Sequence, residues 1–216
     1  MQSAETCSTS VSRNLRRPSS VVVIAAGTGG PQALMQILPR FQASFPGAII
    51  VIQRMRAGFT RVLADQLDEV CRVRVTEPID GQDLRAAEVL MVPGGCRVRY
   101  DREADMLVLE DVQDDPEAAR SRTDATMTSM AQAFGRGAVG VLLTGLGEDG
   151  RAGMKAIYDA GGTTIAQDED SSTIFDLPAS AIEAGVVHHV LPLWNIADQV
   201  TSISHCTAGP AVAVLK

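Results

Sequence analysis

The chain has 216 residues, 45% of them hydrophobic, and a formal charge of −7, which suits one domain with a sizeable core. The acidic balance argues against nucleic-acid binding, which needs a surplus of Lys and Arg. No apolar run approaches the ~20 residues of a membrane-spanning helix. Cys7, Cys71, Cys96 and Cys206 form no CxxC pair, and no His stands at metal-ligand spacing. A disulfide framework, a zinc site or another bound cofactor is therefore not expected, and a reducing, cytoplasmic setting fits best.

Residues 1–20 are rich in Ser and Thr and lack the apolar core of a signal peptide, so they are expected to form a flexible tail. From residue 21 onward, apolar runs alternate with helical patterns, the signature of βαβ units. Residues 21–25 read as a strand buried on both faces. A Gly-rich turn follows at 27–30, and Pro31 then opens a helix. Residues 48–52 form the second predicted strand. Phe59, Val62, Leu63, Leu67 and Val70 then fall on one helical face.

Residues 89–92 form another strand, closed by Pro93-Gly94-Gly95. Residues 97–100 and 106–110 pattern as an antiparallel hairpin, and 111–123 as a polar, Asp-rich loop. Asp124 is placed to cap a helix that buries Met127, Met130, Ala131 and Phe134. Residues 139–143, 163–166 and 186–191 complete the predicted strands. A helix lies between the first two, around Met154, Ile157 and Tyr158, and another over 193–203. The expected fold is a doubly wound, mostly parallel α/β sheet with helices on both faces and an antiparallel hairpin. It forms a single domain over 21–203, and a C-terminal tail covers 204–216.

Open α/β sheets bind ligands outside the carboxyl ends of their strands. The unusual segments of this chain all follow strands: Gly27-Thr28-Gly29-Gly30-Pro31, Gln53-Arg54-Met55-Arg56, Pro93-Gly94-Gly95, Thr144–Gly150 and Gln167-Asp168-Glu169. A parallel sheet puts them on one rim. The glycine turn is not a dinucleotide fingerprint, because Gln32 stands where a third glycine is needed, and it lacks the Gly-Lys-Ser/Thr ending of a P-loop. Two readings stay open for it: a plain strand-to-helix turn, or the tip of a nucleophile elbow.

These segments, in this order, resemble the catalytic domain of the CheB family of chemotaxis protein-glutamate methylesterases. The anchors are residues 24–31, 52–55, 58–60 and 142–150, extended by Ala160-Gly161-Gly162 and residues 164–169. The resemblance implies hydrolysis of receptor glutamate methyl esters, and often deamidation of receptor glutamines, by a Ser-His-Asp triad. It puts the nucleophilic Ser at Gly27, the general-base His at Arg54 and the orienting Asp at Asp149. Thr28 matches the residue after the nucleophile, and Leu146 stands where the oxyanion-side residue is usually Met. The usual Pro-Ser pair before Asp124 is replaced by Ser121-Arg122-Thr123, and no receiver domain is expected in this chain.

Glycine has no atom to attack a carbonyl, and arginine stays protonated and so is no base. His188 and His189 fall in the last predicted strand, and His205 lies beyond the helix predicted to close the domain. The resulting expectation is an inactive CheB-like domain that binds a protein partner, a chemoreceptor or another chemosensory component. Two alternatives remain: an esterase or deamidase with a substitute nucleophile, or a small-anion sensor built on residues 27–30 with Gly29, Arg54 and Arg56. Arg54 is expected to form a bidentate pair with Asp149. Otherwise it turns outward to an anion and leaves Asp149 to cap the helix at Gly150.

Overall fold

The structure, a computed structural model, describes residues 18–207. Its elements run β1 (Val21–Ala26), α1 (Gly30–Ile37), β2 (Ala48–Gln53), α2 (Phe59–Val70), β3 (Arg74–Thr76), β4 (Glu88–Met91), β5 (Cys96–Asp101) and β6 (Met106–Asp111). Then follow α3 (Pro116–Arg120), α4 (Arg122–Phe134), β7 (Ala138–Leu142), α5 (Arg151–Asp159), β8 (Thr163–Gln167), α6 (Asp176–Glu183), β9 (His189–Leu191) and α7 (Leu193–Thr207).

Seven strands form one sheet in the order β3-β4-β2-β1-β7-β8-β9, and every pairing in it is parallel. Each of β1, β2, β4 and β7 is buried along its whole length, as strands covered on both faces must be. The pleat divides β1 between two cores. Val22, Ile24 and Ala26 face a core closed by α1, α2 and α7. Val21, Val23 and Ala25 face one closed by α4, α5, α6 and the β5–β6 hairpin. The chain winds outward from β1 in one direction through β2 and β4, then returns to β1's other side with β7. That reversal creates a crevice between the ends of β1 and β7.

The hairpin is fastened to α4 through the free edge of β5. Val98 N–H donates to Thr126 Oγ1 at 3.2 Å and Tyr100 N–H to Ser129 Oγ at 2.9 Å, so helix hydroxyls replace a missing strand partner.

Several expectations are corrected. The buried face of α2 is Thr60, Leu63, Ala64 and Leu67, whereas Phe59, Val62 and Val70 are exposed. Lying over β3 and β4 at the sheet margin, α2 has only a narrow stripe to bury. The polar segment 111–123 is not all loop, since α3 and the start of α4 lie within it. Phe134 is only partly buried against its core. Pro18–Ser20 belong to the folded body, with Ser20 buried and Ser19 N–H bonded to the Pro46 carbonyl at 3.0 Å. At the other end the last helix continues to Thr207 and buries Ser204. The last predicted strand shrinks to residues 189–191. The remaining residues assigned to tails, 1–17 and 208–216, lie outside the described residues. Among the described residues, no helix is long and apolar enough to cross a membrane.

Candidate functional site

Three neighbouring strands, β2, β1 and β7, deliver the three positions singled out by sequence. Gly27 follows β1, Arg54 follows β2, and Asp149 ends the loop after β7. They line one narrow slot together with Arg122, Thr123 and Leu146, floored by Ala25 and Ile52. Its enclosed volume is about 10 Å³, room for one oxygen-sized atom.

Two buried amides fix the walls. Gln53, the last residue of β2, donates from Nε2 to the Gly27 carbonyl at 2.8 Å. Gln167, the last residue of β8, accepts the Thr144 N–H at 2.8 Å. The loops after β1 and β7 then meet backbone to backbone: Gly27 N–H donates to the Thr144 carbonyl at 2.9 Å. A Cβ built on Gly27 would lie 3.0 Å from Gly145 Cα, and one on Gly145 would lie 2.9 Å from Gly27 N. Gly145 is therefore required by closeness of approach, and a side chain at residue 27 asks the facing loop to give by a few tenths of an ångström.

Asp149 is buried, with a side chain only 5% exposed. Its two oxygens accept the Thr123 N–H at 3.2 Å and the Asp124 N–H at 3.0 Å, so it caps the first turn of α4. Asp124 returns the arrangement by accepting from Gly150 N–H at 2.9 Å and Gly153 N–H at 2.7 Å at the start of α5. Each carboxylate thus satisfies orphan donors of the other's helix. The expected roles are corrected on both counts, because Asp124 caps α5 rather than its own helix and Asp149 caps α4 rather than the helix at Gly150. Asp124 has its pKa raised, first by burial and further by the nearby Asp149, with the N–H groups of α5 working against the shift.

The expected Arg54–Asp149 fork does not form. Arg54 Nη2 lies 3.8 Å from Asp149 Oδ2, and the Arg54 side chain is 54% exposed. That distance is an ion pair without a hydrogen bond, while the carboxylate's direct donors are the backbone N–H groups of Thr123 and Asp124. Arg122, which sequence reasoning passed over as part of a polar loop, is the slot's buried cation. It is 6% exposed and donates from Nη2 to the Gln53 carbonyl at 3.0 Å. Burial lowers its pKa, Asp149 supports its charge and Arg54 opposes it.

The other expected lining residues stand outside the slot. Thr28 is exposed, and its carbonyl accepts from Thr144 Oγ1 at 2.9 Å. Gly29 is the left-handed residue (φ 83°) that starts α1, and Arg56 is exposed on the loop after β2. The histidines are remote from it. His188 bonds through Nδ1 to Thr164 at the entry end of β8, His189 starts β9, and His205 lies in α7. Thr123 is the one hydroxyl lining the slot, and no imidazole or amine base accompanies it.

Comparison with known proteins agrees with this geometry. The CheB methylesterase family model matches residues 22–200. A protein-glutamate methylesterase/protein-glutamine glutaminase from Carboxydothermus hydrogenoformans is 41% identical over 185 residues, covering 84% of this chain and 54% of that protein. One from Archaeoglobus fulgidus is 39% identical over 180 residues, covering 83% of this chain and 52% of that protein. The chain thus spans about half the length of the curated relatives it matches. The crystal structure of the Thermotoga maritima CheB methylesterase catalytic domain superposes with a TM-score of 0.80 at 32% identity, covering 85% of this chain and 98% of that one. Family model, relatives and solved structure agree: this chain belongs to the CheB methylesterase family.

Proposed function

We propose that this chain is a CheB-type domain that has kept the frame of the active site and lost its chemistry, and that it works as a protein-binding, regulatory module in chemosensory signalling. The observation that carries the reading is the slot's composition. Where β1 ends, the slot presents Gly27 with no side chain, and where β2 ends it presents Arg54. Ester or amide cleavage by the family's route needs a nucleophile and a neutral base within hydrogen-bond reach of each other. A glycine and a permanently protonated guanidinium supply neither. What survives is positioning: the amides of Gln53 and Gln167, the paired caps, and the Leu146 N–H, which no acceptor among the described residues engages. Preorganised donors of that kind still bind an acyl group without turning it over.

The partner in this reading is the cytoplasmic part of a chemoreceptor, the substrate of the family's active members. The chain then occupies modification sites and shields them. The test is competition. Excess domain added to an active methylesterase acting on a methylated receptor fragment is expected to slow methanol release in proportion to the sites occupied. Unchanged release at saturating domain, together with no co-sedimentation with the receptor fragment, refutes the reading.

A further inference from the structure

We infer that the slot binds a carboxylate, and in the reading above this is the side chain of a receptor glutamate that carries no methyl group, held in preference to its methyl ester or to glutamine. The identity of the partner rests on the proposed receptor-binding role, whereas the ligand chemistry rests on the slot alone.

Two guanidinium groups face one carboxylate in the slot, which leaves it one positive charge in excess. Neither guanidinium is used up. Arg122 gives one hydrogen bond, to the Gln53 carbonyl, out of the five N–H groups an arginine carries. Arg54 gives none to Asp149, standing 3.8 Å away with its side chain half exposed. Removing Arg122 from water works against its charge, and the nearby Arg54 adds to the penalty. An incoming anion between them relieves both effects. The Leu146 nitrogen, 3.4 Å from where a side chain on Gly27 would begin, supplies a third, neutral donor.

Shape and charge then select among the three states of a receptor side chain. About 10 Å³ of enclosed space seats one oxygen, and the donors facing it, two guanidinium groups and the Leu146 N–H, outnumber the one carboxylate. A carboxylate presents an oxygen whichever way it turns, with full charge toward the arginines. A methyl ester can seat only its neutral carbonyl oxygen there and brings no charge toward the arginines. A glutamine turns either a weaker neutral oxygen or an N–H₂ group toward like donors. The site thus favours the product of the family's hydrolysis over both of its substrates, and the domain reads the demethylated state of a receptor.

The experiment titrates the domain with one chemoreceptor cytoplasmic fragment in three forms, with glutamate, glutamine or glutamate methyl ester at the modification sites. In parallel, glutarate and monomethyl glutarate are followed by the Leu146 amide resonance. The glutamate form is expected to bind at least about tenfold tighter than the ester, the worth of one charge-assisted hydrogen bond. Arg54→Gln, at an exposed position where folding is not at risk, is expected to abolish that preference and keep the affinity common to all three forms. Equal binding of the three forms overturns the carboxylate inference and leaves the receptor-binding role standing. Glutarate shifting Leu146 in the parent but not in Arg54→Gln, with no receptor form bound, upholds the slot's chemistry and removes the receptor. Tighter binding of the ester, or no response to any probe, overturns the inference.

Discussion

Two buried carboxylates in this molecule have opposite surroundings. Asp149, on the rim between β1 and β7, accepts two N–H groups from the start of α4 and lies beside two arginines. Glu88, at the first residue of β4, is equally buried at 7% exposure, yet its Oε2 has no partner, and the Arg85 Nε near it is also unpaired. Burial raises the Glu88 pKa despite the opposing charges of Arg85 and Arg74 and a side-chain hydrogen bond with Gln82. The first carboxylate is part of the frame that holds the slot together, and the second is tolerated at the far end of the sheet. The lesson is that the fold itself uses Asp149, as the cap of α4.

The largest expected effect follows from that difference. Asp149→Ala leaves two buried N–H groups without an acceptor and Arg122 without its counter-charge. It is expected to lower stability by about 3 kcal/mol in urea unfolding; a loss below about 1 kcal/mol refutes the structural role. Arg54→Gln breaks only a long pair to an exposed side chain, so a change under about 1 kcal/mol is expected in the same assay. A loss as large as that of Asp149→Ala would mean that Arg54 is the carboxylate's main partner after all.

Glu88→Gln is expected to give the smallest effect, visible as a slope. A carboxyl whose folded pKa is raised favours its neutral form in the native state. Its stabilising contribution is full below the ordinary carboxylate range and is lost as pH rises through the raised value. The parent therefore loses stability from acid toward neutral pH at this site. Glu88→Gln should match it near pH 4 and exceed it near pH 8, by roughly the ordinary behaviour of such linkage. Parallel stability curves for the two proteins would show that Glu88 ionises in the fold without penalty.

Most of the fold was legible because the central strands are buried on both faces, and residues 21–25, 48–52 and 139–143 therefore read as apolar runs. The shared slot of Gly27, Arg54 and Asp149 was legible too, since parallel strands force the segments after them onto one rim. What escaped depended on contacts distant in sequence. Arg122 sits in a polar, Asp-rich segment, and its role appears only when α4 is docked against β1 and β7, where it reaches the Gln53 carbonyl of β2 across 69 residues. The exchange of caps between Asp124 and Asp149 is likewise invisible locally. One miss did carry a local signal: Asp115-Pro116-Glu117 is a helix start, with Asp115 capping Glu117 and Ala118.

The measurement that bears most directly on the account is methanol release by the chain itself. Methylated receptor fragments are incubated with the domain beside an active family member as a positive control. The account predicts release indistinguishable from buffer alone, with Gly27 and Arg54 at the positions that would attack and accept the proton. Release above buffer that vanishes when Thr123 or Thr28 is replaced by Ala would contradict it, by revealing a hydroxyl that has taken over the chemistry.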